Sequence, residues 1–226
     1  REQLAAQCTE RGIQCTAADV LVTTGSQQGF DVLLRVLIQP GDAVCVETPA
    51  YPATIAALRQ AGARIVSTPV DNHGLDVDAL EAQLIAMPAG DRPRMLYTVP
   101  NFSNPCGTLL TAARRNKLVQ LALQYGFVVV EDDPYGELAF TDERPAPVYA
   151  TAQQQGVAEN PVVYLSSLSK TVAPGLRVGW MVADAAVLRR QGLHLQQRHL
   201  LVAVHTGADG EAAEDFVLPL AGKPCF

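Results

Sequence analysis

The sequence predicts an α/β fold, a mostly parallel central sheet with helices on both faces. Short apolar runs rich in β-branched residues alternate with longer runs of helical period, the pattern of βαβ units. Glycine, proline and asparagine clusters punctuate those runs where elements should stop. With 226 residues, 48% hydrophobic and 18% charged, the chain is long and apolar enough to bury a full core and falls outside the disordered class.

The first element, Glu2–Arg11, reads as a helix entered in mid-pattern, so the expectation is a chain that has lost an upstream segment. A second helix, Gln28–Ile38, is stopped by Gln39-Pro40-Gly41-Asp42. The strand Ala43–Glu47, the helix Pro52–Ala61 ending at Gly62, and the strand Arg64–Thr68 follow. Next come the helix Asp78–Ile85 and the strand Met95–Val99. The long helix Ala112–Tyr125 has Thr111 placed as its N-cap and Gly126 as a left-handed C-cap. Strands Phe127–Glu131, Val162–Ser166 and Val178–Ala183 complete the sheet, and Asp184–Arg190 predicts a last helix. Between them, Asp142–Asn160 is rich in Pro, Ala and Gln and reads as a surface connection with one short helix. Residues 1–190 therefore form one domain, and 191–226, without strand or helix period, an atypical tail.

Seventeen basic and 23 acidic side chains give a formal net charge of −6, with no basic stripe, which excludes a phosphate-backbone binder and argues for no nucleic-acid partner. No run of about 18 apolar residues suggests a membrane span, and the start has no signal-peptide core, so the expected location is cytoplasmic. The five cysteines are an odd number without a C-x-x-C pair and read as reduced thiols. Nor is a metal expected: His194, His199 and His205 lie in the tail with no regular element to aim their rings.

Five stretches fall where an open α/β sheet places ligands. Thr23-Thr24-Gly25-Ser26-Gln27-Gln28 precedes a helix, and its glycine, side chains and free N–H groups make an anion site; a plain helix cap is the alternative. In Glu47-Thr48-Pro49-Ala50-Tyr51-Pro52, the ring of Tyr51 either stacks on a flat ligand or anchors a turn. Asn104, within Val99–Gly107, is either an outward-pointing donor or a turn residue. Glu131-Asp132-Asp133-Pro134-Tyr135 ends an apolar strand in three carboxylates. Their mutual repulsion calls for a cation, unless they are solvated loop acids. Finally, Ser167-Leu168-Ser169-Lys170 follows a strand, in small and apolar surroundings that favour a neutral, nucleophilic amine, with Arg177 nearby for an anion; a solvated surface lysine is the ordinary reading.

The order of these stretches resembles the fold-type I aminotransferases that use pyridoxal 5′-phosphate. The likeness is greatest to class I/II members of the 2-aminoadipate, kynurenine and aromatic type, which carry G-S-Q-Q, P-x-Y, P-N-F-x-N-P-x-G, E-D-D-P-Y and S-x-S-K. The resemblance covers about Val20 to Arg190 and implies a large cofactor-binding domain, a homodimer, and an amino acid and a 2-oxo acid as substrates. It implies that Lys170 bonds to the cofactor's aldehyde and shuttles the substrate Cα proton. Asp132 would pair with the pyridinium nitrogen, Asn104 and Tyr135 with the phenolic oxygen, and Tyr51 would stack on the ring. Gly25, Ser26, Gln27, Ser167, Ser169 and Arg177 would hold the phosphate. Cys106 and Thr24 stand where the family often has Thr and Ser, and neither departure disturbs a tight turn.

What the family has and this sequence lacks is a small domain with an arginine clamp for the substrate carboxylate. Arg189, Arg190 and Arg198 stand in the wrong context, so the chain is expected to be a truncated and inactive copy. The tail fits a shifted reading frame from near Gln191, since Arg198–Glu214 moved by one base allows a string with helical apolar period. The alternative function is an aminotransferase-like effector domain of a transcription regulator responsive to the same cofactor. Such regulators usually carry a His-Gln-x-P-x-G turn in place of Asn101–Gly107 and lack Pro134-Tyr135; this chain keeps the enzyme wording.

Overall fold

The structure, a computed structural model, describes residues 1–139 and 144–184. The helix predicted at Asp184–Arg190, the three tail histidines and the tail itself lie outside the described residues. In chain order the elements are α1 (Glu2–Glu10), β1 (Val20–Thr23), α2 (Ser26–Leu37), β2 (Ala43–Thr48) and α3 (Pro52–Gln60). Then come β3 (Arg64–Asp71), β4 (Gly74–Leu75), α4 (Val77–Ala86), β5 (Met95–Thr98) and α5 (Ala112–Tyr125). The last four are β6 (Val128–Asp132), α6 (Val148–Gln154), β7 (Val162–Ser167) and β8 (Gly179–Ala183). One eight-stranded sheet runs in the order β1-β8-β7-β6-β5-β2-β3-β4. The five strands β7-β6-β5-β2-β3 are mutually parallel, while β8 runs antiparallel between β7 and β1, and β4 antiparallel at the far edge.

Alternation along the strands sorts the side chains onto two faces, and the sorting is the same in each strand. Val44 and Val46 of β2, Met95 and Tyr97 of β5, Val128 and Val130 of β6, and Val163 and Leu165 of β7 pack against α2 and α3. The intervening Cys45, Leu96, Val129 and Tyr164 pack against a second core built from α1, α4, α5 and α6. Both faces are covered, which is why the central strands read as continuous apolar runs rather than as alternating ones.

Local signals account for most boundaries. Thr111 accepts the N–H of Arg114 at the start of α5, and Gly126 ends that helix at φ +75°. A Cβ on Gly126 would meet nothing within 4 Å, so only the backbone conformation opposes a larger residue there. We expect Gly126→Ala to cost about 1 kcal/mol, the left-handed penalty of an L-residue, as a lower urea midpoint at unchanged slope. The α2 helix starts at Ser26, two residues before the predicted Gln28, and α4 at Val77, where Asp76 caps the N–H groups of Asp78 and Ala79. β1, which the sequence reading did not contain, joins the sheet only through β8.

Candidate active site

Because the parallel strands share one direction, the chain leaves β2, β5, β6 and β7 on the same edge of the sheet, and α2 begins there after β1. The residues that continue the α2-facing alternation past the hydrophobic stretch are Asp132 after Val130 and Ser167 after Leu165. With Tyr97 they line one pocket of about 340 Å³. Gly25, Ser26, Gln27 and Tyr51 lie on its wall, and so do Asn104, Tyr135, Ser169, Lys170 and Arg177. The residues expected to bind the cofactor thus meet in a single cleft, along with Ala53, Thr54, Tyr97, Val99 and Pro134.

One wall is suited to an anion. Gly25, at φ +88°, precedes α2, whose first turn has no side-chain cap, so its N–H groups and the positive end of the helix dipole face the pocket. Arg177, itself left-handed at φ +50°, lays its guanidinium over this turn, donating to Thr24 O at 3.3 Å. A Cβ on Gly25 would come within 2.7 Å of that guanidinium, and one on Gly179 within 2.4 Å of the Gly25 carbonyl carbon. Two glycines therefore let β8 and α2 approach closely enough to bring Arg177, Ser26 and the serine pair together. Ser167 Oγ lies 2.8 Å from Ser169 Oγ and takes the Ser169 N–H at 3.0 Å. The side chain of Gln27 departs from its expected part. It donates to Asp31 one turn on in its own helix, which leaves the residue's place in the first turn as its contribution.

The three consecutive carboxylates are not a cluster awaiting a cation; the pleat separates them. Glu131 and Asp133 point to the α5–α6 face, Asp132 to the α2 face. Glu131, fully buried, accepts the N–H groups of Val148 and Tyr149 at the start of α6 and lies 3.8 Å from Arg115. Asp133 takes Asn101 Nδ2 at 2.8 Å and Arg11 at 3.1 Å, and Tyr164 donates to it at 3.3 Å. Arg11 also donates to Gly136 O, which ties α1 to the turn carrying Tyr135. Burial, with the charge of Asp133, pushes Glu131 up to about 7 against the pull of Arg115.

Asp132 is left alone on the pocket side. Its Oδ2 accepts the Tyr97 phenol at 2.6 Å, while Oδ1, sealed from solvent, has no hydrogen-bond partner. Burial pushes this carboxyl up to about 6. Tyr97 and the Ser26 hydroxyl draw it down, and the charge of Asp133 adds to the rise. An unpartnered buried acceptor is costly and calls for an explanation. Lys170 does not have the small, apolar surroundings expected of it, because its side chain is exposed at the rim among Ser167, Ser169, Asn104 and Tyr135. Asn104 is likewise exposed, whereas Asn101 of the same stretch is buried between Asp133 and Arg115. Tyr51, 47% exposed, precedes α3 at the opposite wall.

Tyr97 is the site residue that sequence reasoning missed. Its signal was a tyrosine near the end of a strand otherwise buried, whose hydroxyl had to find a polar partner.

Pyridoxal 5′-phosphate fits this pocket on the observations above: an orphaned carboxylate oxygen for a ring N–H, an anion wall two glycines deep, and an exposed amine between them. The sequence matches the family described as Aminotransferase class I and II over residues 1–209. Aromatic-amino-acid aminotransferase 1 of Thermococcus litoralis is 39% identical over 179 residues, 79% of this chain and 42% of that protein. LysN, an alpha-aminoadipate aminotransferase of Thermus thermophilus solved with N-(5′-phosphopyridoxyl)-L-leucine, is similar at a TM-score of 0.73 and 37% identity, covering 83% of this chain and 47% of that one. An HTH-type transcriptional regulator of Escherichia coli, YjiR, is 36% identical over 219 residues, 96% of this chain and 44% of its own. The chain spans less than half the length of each of these relatives. With the match running over most of its residues, the chain belongs to the class I and II aminotransferase family.

Proposed function

We propose that this chain is the cofactor-binding large domain, residues 1–190, of a pyridoxal 5′-phosphate-dependent aminotransferase that moves an amino group between an L-amino acid and a 2-oxo acid. The observation that carries the reading is the unpartnered Oδ1 of Asp132, a residue that lines the same pocket as Lys170 and the α2–Arg177 anion wall. Bound there, the cofactor supplies an electrophilic aldehyde and an electron-withdrawing ring. Asp132 would hold a proton on the ring nitrogen, and Lys170 Nζ would hold the aldehyde until the substrate's amine displaces it and would then accept the Cα proton. Asn104 and Tyr135 would donate to the phenolic oxygen, and Tyr51 would cover the ring face. Gly25, Ser26, Gln27, Ser167, Ser169 and Arg177 bind the phosphate, a set of donors that fixes position without taking part in proton transfer.

Four free thiols among the described residues suit the cytoplasm, and exposed Val172 and Leu176, after Lys170, support a homodimer. We infer that the residues lining this pocket suffice to bind the cofactor. Borohydride reduction after adding pyridoxal 5′-phosphate, with peptide mapping, tests the binding: a label on Lys170 is expected, and Lys170→Ala should abolish it. A label elsewhere, or none, would sink the proposal. The 36% identity to YjiR favours a second reading, an effector domain that uses the same pocket to sense the cofactor. A transamination assay with an amino acid and a 2-oxo acid distinguishes the two, because a sensor takes the label without turnover.

A further inference from the structure

Resting on the cofactor reading above, we propose that Tyr97 is the positioning residue of the site: its phenol, fixed in the α2-facing core, holds Asp132 by one oxygen so that the other is presented, ionised, to a protonated ring nitrogen.

The geometry is specific. Tyr97 is 3% exposed, and its ring packs on Phe30 of α2 with centroids 4.8 Å apart and planes at 58°. It pairs in register with Val46 of β2 on one side and Val130 of β6 on the other, so both neighbouring strands hold it. From that anchored ring the hydroxyl reaches Asp132 Oδ2 at 2.6 Å, the length of a charge-assisted bond to a carboxylate. A carboxylate held at one oxygen cannot rotate freely about its terminal torsion. Tyr97 therefore decides which oxygen remains open as well as how the group is charged.

The charge matters because burial and the neighbouring carboxylates oppose the ionisation of Asp132. Burial raises it; Asp133, the residue after β6, adds to the rise, and Glu47, across the sheet on β2, is close enough to feel its charge. From α2 the Ser26 hydroxyl helps to lower it, and Tyr135, Lys170 and Arg177 line the remaining walls. Tyr97 is the largest opposing influence on the carboxyl, and it acts in the folded protein before any ligand arrives. A neutral acid at 132 would donate rather than accept, and a protonated heterocycle would lose its counter-charge.

The test begins without cofactor. In the 226-residue chain with ¹³C-labelled aspartate, Tyr97→Phe should move the carboxyl titration of Asp132 upward by about one pH unit, a tenfold change in ionisation constant. Difluorotyrosine at 97, which keeps the shape and strengthens the donor, should move it down. That arm also covers the case in which Tyr97→Phe fails to fold. With cofactor, Tyr97→Phe should weaken pyridoxal 5′-phosphate binding roughly tenfold near pH 5, about twofold near pH 7 and hardly at all near pH 9, where the variant's carboxyl is ionised as well. Binding of the 1-deaza analogue, which has phosphate and aldehyde but no ring nitrogen, should be unchanged. Coincident titrations in wild type and both variants, or equal losses for the two ligands, would overturn the proposal. If the wild type takes no label at Lys170 while the carboxyl titrations shift as expected, it is the cofactor reading that fails and not the coupling of Tyr97 to Asp132.

Discussion

Replacing Arg115 by methionine is expected to cost about 3–5 kcal/mol of stability, the range for breaking a buried ion pair by removing one partner. The side chain is 1% exposed, and its guanidinium does more than face Glu131 at 3.8 Å. It donates to Leu110 O at 2.9 Å, to Ala146 O at 3.2 Å, and to Pro100 O and Asn101 Oδ1 at 3.1 and 2.7 Å. Methionine keeps most of the volume and supplies none of these donors. Four acceptors lose a donor, of which Pro100 O keeps the Leu110 N–H, and Glu131 loses the cation 3.8 Å away while Asp133 keeps Arg11 at 3.1 Å. A lysine, with one compact ammonium in place of a planar fork, should recover only part of the loss. Urea unfolding measures this directly, and a loss below about 1 kcal/mol would show that the network is not the support described here. Adding Glu131→Gln to Arg115→Met should return part of the stability, because it removes the uncompensated charge while keeping an acceptor for the start of α6. The site should suffer too. Asn101 bridges Arg115 to Asp133 at the root of the Asn104 loop, so the double variant is expected to stay weaker than wild type in cofactor binding even where stability is regained.

This network marks where the sequence stopped being legible. Continuous apolar runs and end signals sufficed for the parallel strands and for the helix from Ala112 to Tyr125, because burial on both faces and caps such as Thr111 and Gly126 are local. The four residues of β1 were missed, since so short a run shows no period and becomes a strand only by pairing with β8 at the sheet edge. The three acids after Val130 were read as a repelling cluster because their cations are remote in sequence. Arg11 meets Asp133 across 122 positions, and nothing near either residue announces the other. Once the strand is known to run through Asp132, the pleat alone separates the acids, and the site residue is the one facing α2. Lys170 was expected among apolar groups from its neighbours in the chain, but those neighbours are the serines lining the pocket. Tyr97 could have been anticipated from the same alternation that placed Asp132, which puts both on the α2 face of adjacent strands.

Glu47→Gln is expected to stabilise the protein by about 3 kcal/mol at pH 8 and by less than about 1 kcal/mol at pH 5. Glu47 is 3% exposed at the end of β2, and its bonds are to neutral donors: the Thr98 hydroxyl at 2.7 Å and the Val99 N–H at 3.1 Å. Burial pushes its carboxyl from 4.5 up to about 7, those two donors restraining the rise and Asp132 adding to it. Between these values the folded chain binds a proton that the unfolded chain has released, so stability falls as pH rises across that window. Below it both states are protonated and the favourable contribution is complete; above it both are ionised and the contribution is gone. Glu131, also raised to about 7, and Asp132, raised to about 6, lean the same way, so the wild type should lose stability steadily from pH 5 to pH 8. Glutamine is neutral throughout. Its carbonyl oxygen can keep the Val99 N–H, and its amide can donate to Thr98 once that hydroxyl turns to accept. The variant should therefore track the wild type near pH 5 and separate from it as pH rises, keeping only the slope due to Glu131 and Asp132. Parallel curves in urea unfolding across that range would mean that Glu47 ionises in the folded chain as readily as in the unfolded one, and that the two donors at the end of β5 suffice to hold a buried charge.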